Sequence, residues 1–162
     1  MTTLSQTDQV LIIPKLAAAD KKEVLDELVA AAGQVFDPTL APGLDPELVT
    51  AHLEAREELG STGIGDGMAI PHGRIEGLRE TILVCGRSSK GIPFDADDGR
   101  PVHIFLLLLT PTSADCPYLS YLAELVLFLR NPLIRSRLLQ AESRAELAAI
   151  LREKTAGREA HG

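Results

Sequence analysis

The chain has 162 residues, 45% of them hydrophobic and none of them tryptophan, with a formal charge of −7 at pH 7. That length suits one domain with a core built mostly from aliphatic side chains. The acidic balance excludes a protein whose affinity comes from coating nucleic-acid phosphates with a basic patch. The longest apolar run, VHIFLLLLT, is about half of a membrane span, so no direct membrane insertion is expected. The N-terminal MTTLSQTDQV lacks the basic and apolar regions of a secretory signal, and the expected location is the cytoplasm. Cys85 and Cys116 stand far apart and outside any CxxC spacing, which predicts free thiols.

In chain order, Val10–Pro14 reads as a short buried strand. Asp20 and Glu23 form a capping-box pattern ahead of a helix that carries Val24, Leu25, Leu28, Val29 and Ala32 on one face and ends at Gly33. Pro38, Pro42 and Gly43 predict a loop. Asp45 and Pro46 open a second helix, DPELVTAHLEAREELG, again closed by glycine. A glycine-rich stretch, GIGDG, leads into a strand-like MAIPH, predicted as one strand from Met68 that proline terminates at Pro71.

Thr81–Arg87 and Val102–Leu109 are continuously apolar or β-rich, as strands buried on both faces are. The link between them, SSKGIPFDADDGRP, is turn-rich, with Asp98-Gly99 as a hairpin signal. Three helical segments close the chain, LSYLAELVLFLR, PLIRSRLLQ and SRAELAAILRE, the last opened by the capping box of Ser143 and Glu146. The order predicts a single-domain α/β sandwich over residues 1–154, its mixed parallel and antiparallel sheet flanked by helices, with 155–162 as a flexible tail.

GIGDG fails as a dinucleotide fingerprint, because Met68 stands where the third glycine should be and a strand rather than a helix follows. A tight turn with positive φ is the simpler reading. His72 stands beyond Pro71, where open α/β sheets place ligands, and a neutral imidazole is nucleophilic near neutral pH. Spacing alone fits a structural histidine at least as well. Asp66 does not serve as its orienting carboxylate: six extended residues separate the two by roughly 20 Å. His52 reads as helix surface and His103 as a residue capping or pairing within the sheet. The histidines lack the mutual spacing of a zinc site, so no metal is expected.

The run EELGSTGIGDGMAIPHGR resembles the active-site signature of the type-2 IIA domains of the bacterial phosphoenolpyruvate-dependent phosphotransferase system, the fructose, mannitol and nitrogen-regulatory family. Glu57, Ile64, Gly65, Met68, Ala69, Ile70, Pro71, His72 and Gly73 all match its pattern, and the remaining elements fall in the family's order. The resemblance implies that His72 accepts a phosphoryl group through Nε2 from a histidine-containing phosphocarrier protein and passes it to a IIB component in sugar uptake. The alternative it offers is a nitrogen-type regulatory module, in which phosphorylation of His72 switches docking to a target protein. It implies no cofactor and leaves a homodimer open. It raises Arg56 to a phosphoryl-stabilising residue, with Thr62 and Gly73 as further candidates for the phosphate pocket. One position departs from the family. The second active-site histidine, expected where the helix after the long apolar strand begins, is replaced by Tyr118, or by Ser120 on the other alignment. Tyrosine donates one hydrogen bond but brings no positive charge near pH 7.

Overall fold

A computed structural model of the chain describes residues 10–35, 45–113 and 116–161. The loop predicted around Pro38, Pro42 and Gly43 lies outside the described residues. The elements run β1 (Leu11–Ile13), α1 (Lys21–Val35), α2 (Pro46–Glu58), β2 (Gly63–Gly65), β3 (Met68–Ala69), β4 (His72–Ile75), β5 (Ile82–Ile92), β6 (Val102–Pro111), α3 (Tyr118–Arg130), α4 (Pro132–Gln140) and α5 (Arg144–His161).

The starts of α1, α2, α4 and α5 are set by side chains that accept otherwise unpaired backbone N–H groups, whereas α3 starts after Pro117 without a side-chain cap. Asp20 accepts from Glu23 N at 2.9 Å, Asp45 from Glu47 N at 2.9 Å, and Asn131 from Leu133 N at 2.9 Å. Ser143 accepts from Glu146 N at 3.1 Å. Gly33 does not stop α1, which continues to Val35.

The sheet is mixed. Its order is β1-β5-β6-β3-β2, with β4 also paired to β6. β1 lies parallel to β5, β5 antiparallel to β6, β3 and β4 both parallel to β6, and β2 antiparallel to β3. The continuous apolar run of β6 has a direct cause: alternate residues leave a strand on opposite faces, and helices cover both. Phe105, Leu107 and Leu109 pack with Val24, Leu25 and Leu28 of α1 and Leu53 of α2. Ile104, Leu106 and Leu108 pack instead with Tyr121 and Leu125 of α3, Leu138 of α4 and Leu147 of α5.

Two predictions need correction. The single strand Met68–His72 is in fact two. Pro71 has no N–H to give to a ladder, so pairing stops after Ala69 and resumes at His72. The Pro71 carbonyl still accepts from Leu108 N at 2.9 Å, which keeps both pieces on the same side of β6. His72 therefore opens a strand rather than closing one. The turn-rich link after Arg87 is also partly strand: β5 continues to Ile92, which pairs with Val102 after a register shift. Within that shift the Ser88 hydroxyl accepts from Gly91 N at 3.0 Å.

Among the described residues no helix is long and apolar enough to cross a membrane.

Candidate active site

GIGDG is strand β2 (Gly63–Gly65) followed by the tight turn at Asp66 and Gly67 that leads into β3. Gly65, Asp66 and Gly67 have φ of 89°, 56° and 81°, the left-handed region that glycine enters without strain. Asp66 is held there by its own N–H, which donates to the Asp98 carboxylate at 2.9 Å, and its side chain lies 3.8 Å from Arg135. Asp66 thus belongs to the opposite end of the β3–β4 run from His72.

His72 is 8% exposed and stands opposite Leu108 in the ladder. Its Nδ1 lies 2.7 Å from the carbonyl oxygen of Ile70. A carbonyl only accepts, so Nδ1 bears the hydrogen and the neutral ring carries its lone pair on Nε2. Burial pushes the pKa of the ring below the ordinary 6.5. The Ile70 hydrogen bond opposes that shift, the Arg56 charge adds to it, and the Glu57 charge opposes it. The ring is therefore a neutral, oriented base at pH 7.

The carbonyl that orients it is itself anchored. Ile70 N donates to Thr62 O at 3.0 Å. Thr62 N donates to both carboxylate oxygens of Glu57, at 3.2 and 3.1 Å, and the Thr62 hydroxyl donates to the same carboxylate. Lys21 completes the group at 3.2 Å from Glu57, with Asp95 3.3 Å away on its outer side. A chain of contacts thus links α1 and α2, through the first residue of the sequence signature, to the imidazole.

Three separate elements bring the predicted site residues together. Arg56, near the end of α2, donates to Gly60 O at 2.8 Å, and its charge bears on both His72 and the Tyr118 phenol. Tyr118 is the first residue of α3. Its ring centroid is 6.0 Å from that of His72 with the planes tilted by 46°. Burial raises the pKa of the phenol, while Arg56 and Arg74 work against the rise, so the hydroxyl stays protonated at neutral pH. Ser120, the other alignment, is exposed. Thr62 reaches the histidine only through Ile70, with its own N–H and hydroxyl directed to Glu57. Gly73 faces α2, where an added Cβ would come within 2.9 Å of His52 Cδ2. His52, read as plain helix surface, is exposed but lays its ring beside the residue that follows His72.

Spacing gave no role to Arg74, although the strand period signals it: it sits two residues beyond His72 on β4 and so on the same face. Its guanidinium carbon is 5.5 Å from the Tyr118 ring centroid. His52 and Arg74 line a cleft of about 490 Å³ between α2 and β4, together with Leu48, Val49 and Ile75. Among the described residues no group of three or more His, Cys, Asp or Glu side chains is placed to hold a metal ion.

Residues 5–154 match the family model described as "Phosphoenolpyruvate-dependent sugar phosphotransferase system, EIIA 2". The chain belongs to that family. This type-2 IIA chain is 33% identical over 140 residues to a nitrogen regulatory protein of Bradyrhizobium diazoefficiens, covering 86% of this chain and 88% of the relative. It is also 33% identical over 131 residues to the fructose-specific EIIA component of Haloferax volcanii, covering 81% of this chain and 80% of the relative. Its fold matches the crystal structure of nitrogen regulatory protein IIA-Ntr from Neisseria meningitidis with a TM-score of 0.79 and 30% identity, over 93% of this chain and 99% of that one. Type-2 IIA domains are phosphotransferase components, and the mixed sheet flanked by helices is their fold.

Proposed function

We propose that His72 is the phosphoryl acceptor of this IIA domain, loaded by a histidine-containing phosphocarrier protein. The observation that carries the reading is the 2.7 Å contact from Nδ1 to the Ile70 carbonyl, which leaves the Nε2 lone pair as the ring's nucleophile. In the transfer, Nε2 attacks phosphorus while the donor's N–P bond breaks and its electron pair returns to the donor imidazole. The His72 ring keeps its Nδ1 hydrogen and becomes cationic, and the Ile70 carbonyl stabilises that charge. Arg56 supplies a planar cation for the equatorial oxygens, and Tyr118 a neutral hydroxyl donor. The reverse geometry then delivers the group to a IIB domain.

A second reading rests on Tyr118 and on the nitrogen regulatory relatives. A site with a neutral donor at this position transfers more slowly, and the phosphorylated state then persists long enough to change which target protein docks. Both readings place the protein in the cytoplasm with its partners.

The deciding experiment incubates the protein with phosphoenolpyruvate, the general phosphotransferase enzyme and the phosphocarrier. An acid-labile phosphate that vanishes in His72→Ala is expected, and its absence from the wild type would sink both readings. Onward transfer to fructose- or mannitol-type IIB domains supports sugar delivery; a stable label that no IIB removes supports regulation.

A further inference from the structure

A phosphoryl group on His72 carries close to two negative charges into a site where the imidazole itself is 8% exposed. The nearest buried carboxylate, Glu57, already bears on that ring with the wrong sign for an anion. Arg56 alone faces a demanding task, because one arm of its fork is committed to the Gly60 carbonyl. A second cation, Arg74, lies on the same strand as His72.

His72 and Arg74 leave β4 on the same face, with Cα atoms roughly 6.6 Å apart at the usual strand rise. A single nitrogen of Arg74, Nη2, donates to the carbonyls of Thr112 and Ser113, each at 3.1 Å. Those carbonyls lie just past the end of β6, so they tether the guanidinium at that end of the strand. Its Cζ lies over the Tyr118 ring, 5.5 Å from the centroid, a cation–π distance, and that ring's centroid is 6.0 Å from that of His72. Among the described residues Arg74 forms no ion pair within 4.0 Å. A guanidinium has five N–H donors, and the two carbonyl contacts use one nitrogen.

We propose that Arg74 is a second phosphoryl-binding cation of this site, positioned by the Tyr118 ring and the Thr112 and Ser113 carbonyls, so that phosphate on His72 is bracketed by Arg56 from α2 and Arg74 from β4. The inference rests on the reading of His72 as phosphoryl acceptor. It assigns Tyr118 a purpose besides its hydroxyl: the ring is a platform for the guanidinium.

The test uses wild type, Arg74→Gln and Arg74→Lys, with thermal unfolding as a check that each is folded. Each is loaded by phosphorylated phosphocarrier over a range of concentrations, and the phosphorylated product is titrated by ³¹P NMR. Loss of a charge-assisted contact to the transferring group predicts a saturating rate lowered roughly 10- to 100-fold in Arg74→Gln, with half-saturation nearly unchanged. Removing the cation also disfavours the dianion, so the phosphoryl titration moves to higher pH. Arg74→Lys recovers part of both effects. An unchanged saturating rate and ³¹P titration in Arg74→Gln would overturn the proposal, as would a loss confined to half-saturation, which marks a docking residue. A wild-type protein that takes no label at His72 refutes the parent reading instead, and the inference falls with it.

Discussion

Glu57 offers the sharpest handle on how the fold holds its histidine. Its side chain is 3% exposed and satisfies the Thr62 N–H, the Thr62 hydroxyl and Lys21 together. Replacing it with alanine leaves the first two as buried donors without an acceptor, at a cost of about 1–3 kcal/mol each when nothing substitutes. The Lys21 term is small, because that ammonium is 25% exposed and keeps Asp95. Water entering the cavity offsets part of the loss. The expected destabilisation of Glu57→Ala is about 2–4 kcal/mol, a large share of the roughly 5–15 kcal/mol typical of a domain. Glu57→Gln keeps one accepting oxygen and is expected to lose about half as much. Urea unfolding of the three proteins reads this directly. The same substitutions loosen the Thr62–Ile70–His72 relay, so the His72 phosphorylation rate should fall in the same order. A loss below about 0.5 kcal/mol in Glu57→Ala, or a rate that ignores it, would refute the relay.

Three further outcomes follow from individual groups. Burial holds the folded His72 pKa below the unfolded value of 6.5, so the folded state binds fewer protons in that window and its stability falls as pH drops from 6.5 through the folded pKa. Unfolding midpoints measured against pH should show this acid loss in wild type and less of it in His72→Gln; parallel profiles would contradict it. Thr110, the ladder partner of Arg74, is fully buried, and its hydroxyl has no hydrogen-bond partner among the described residues. Thr110→Val should therefore be neutral or stabilising by up to about 1 kcal/mol, and a clear loss of stability would show that the hydroxyl is satisfied. Cys85 is fully buried with its thiol pushed up to about 12, whereas Cys116 is partly exposed. A thiol reagent should titrate one fast cysteine in the native protein and two after denaturation, with Cys116→Ser abolishing the fast phase.

Much of the architecture is legible because it is local. Asp20, Asp45 and Ser143 cap their helices through contacts two or three residues away, and the β6 run announces burial on both faces by its unbroken apolar character. The misread parts depend on a distant partner. MAIPH has the composition of one strand, yet only the ladder with β6 decides that pairing breaks at Pro71 and resumes at His72. SSKGI reads as a turn until Ile92 finds Val102 across a shifted register. The site divides the same way. His72 stands out by its motif, but α2, β4 and α3 each deliver one of Arg56, His72 and Tyr118, and no spacing rule connects residues 56 and 118. Only the family resemblance joined them beforehand. Arg74 carried a signal in its i+2 position, which acquires meaning once α3 is known to cover that face. Glu57 matched the motif as a letter; its work became visible through Thr62 and Ile70.

The central claim is that the Ile70 carbonyl fixes the tautomer of His72 and so chooses the atom that carries phosphate. The direct measurement loads ¹⁵N-histidine-labelled protein with phosphocarrier and phosphoenolpyruvate and records ¹⁵N and ³¹P couplings of the modified ring. The account predicts one phosphohistidine, at residue 72, with phosphorus bonded to Nε2 and hydrogen retained on Nδ1. Phosphorus on Nδ1, or on any residue other than His72, would contradict it.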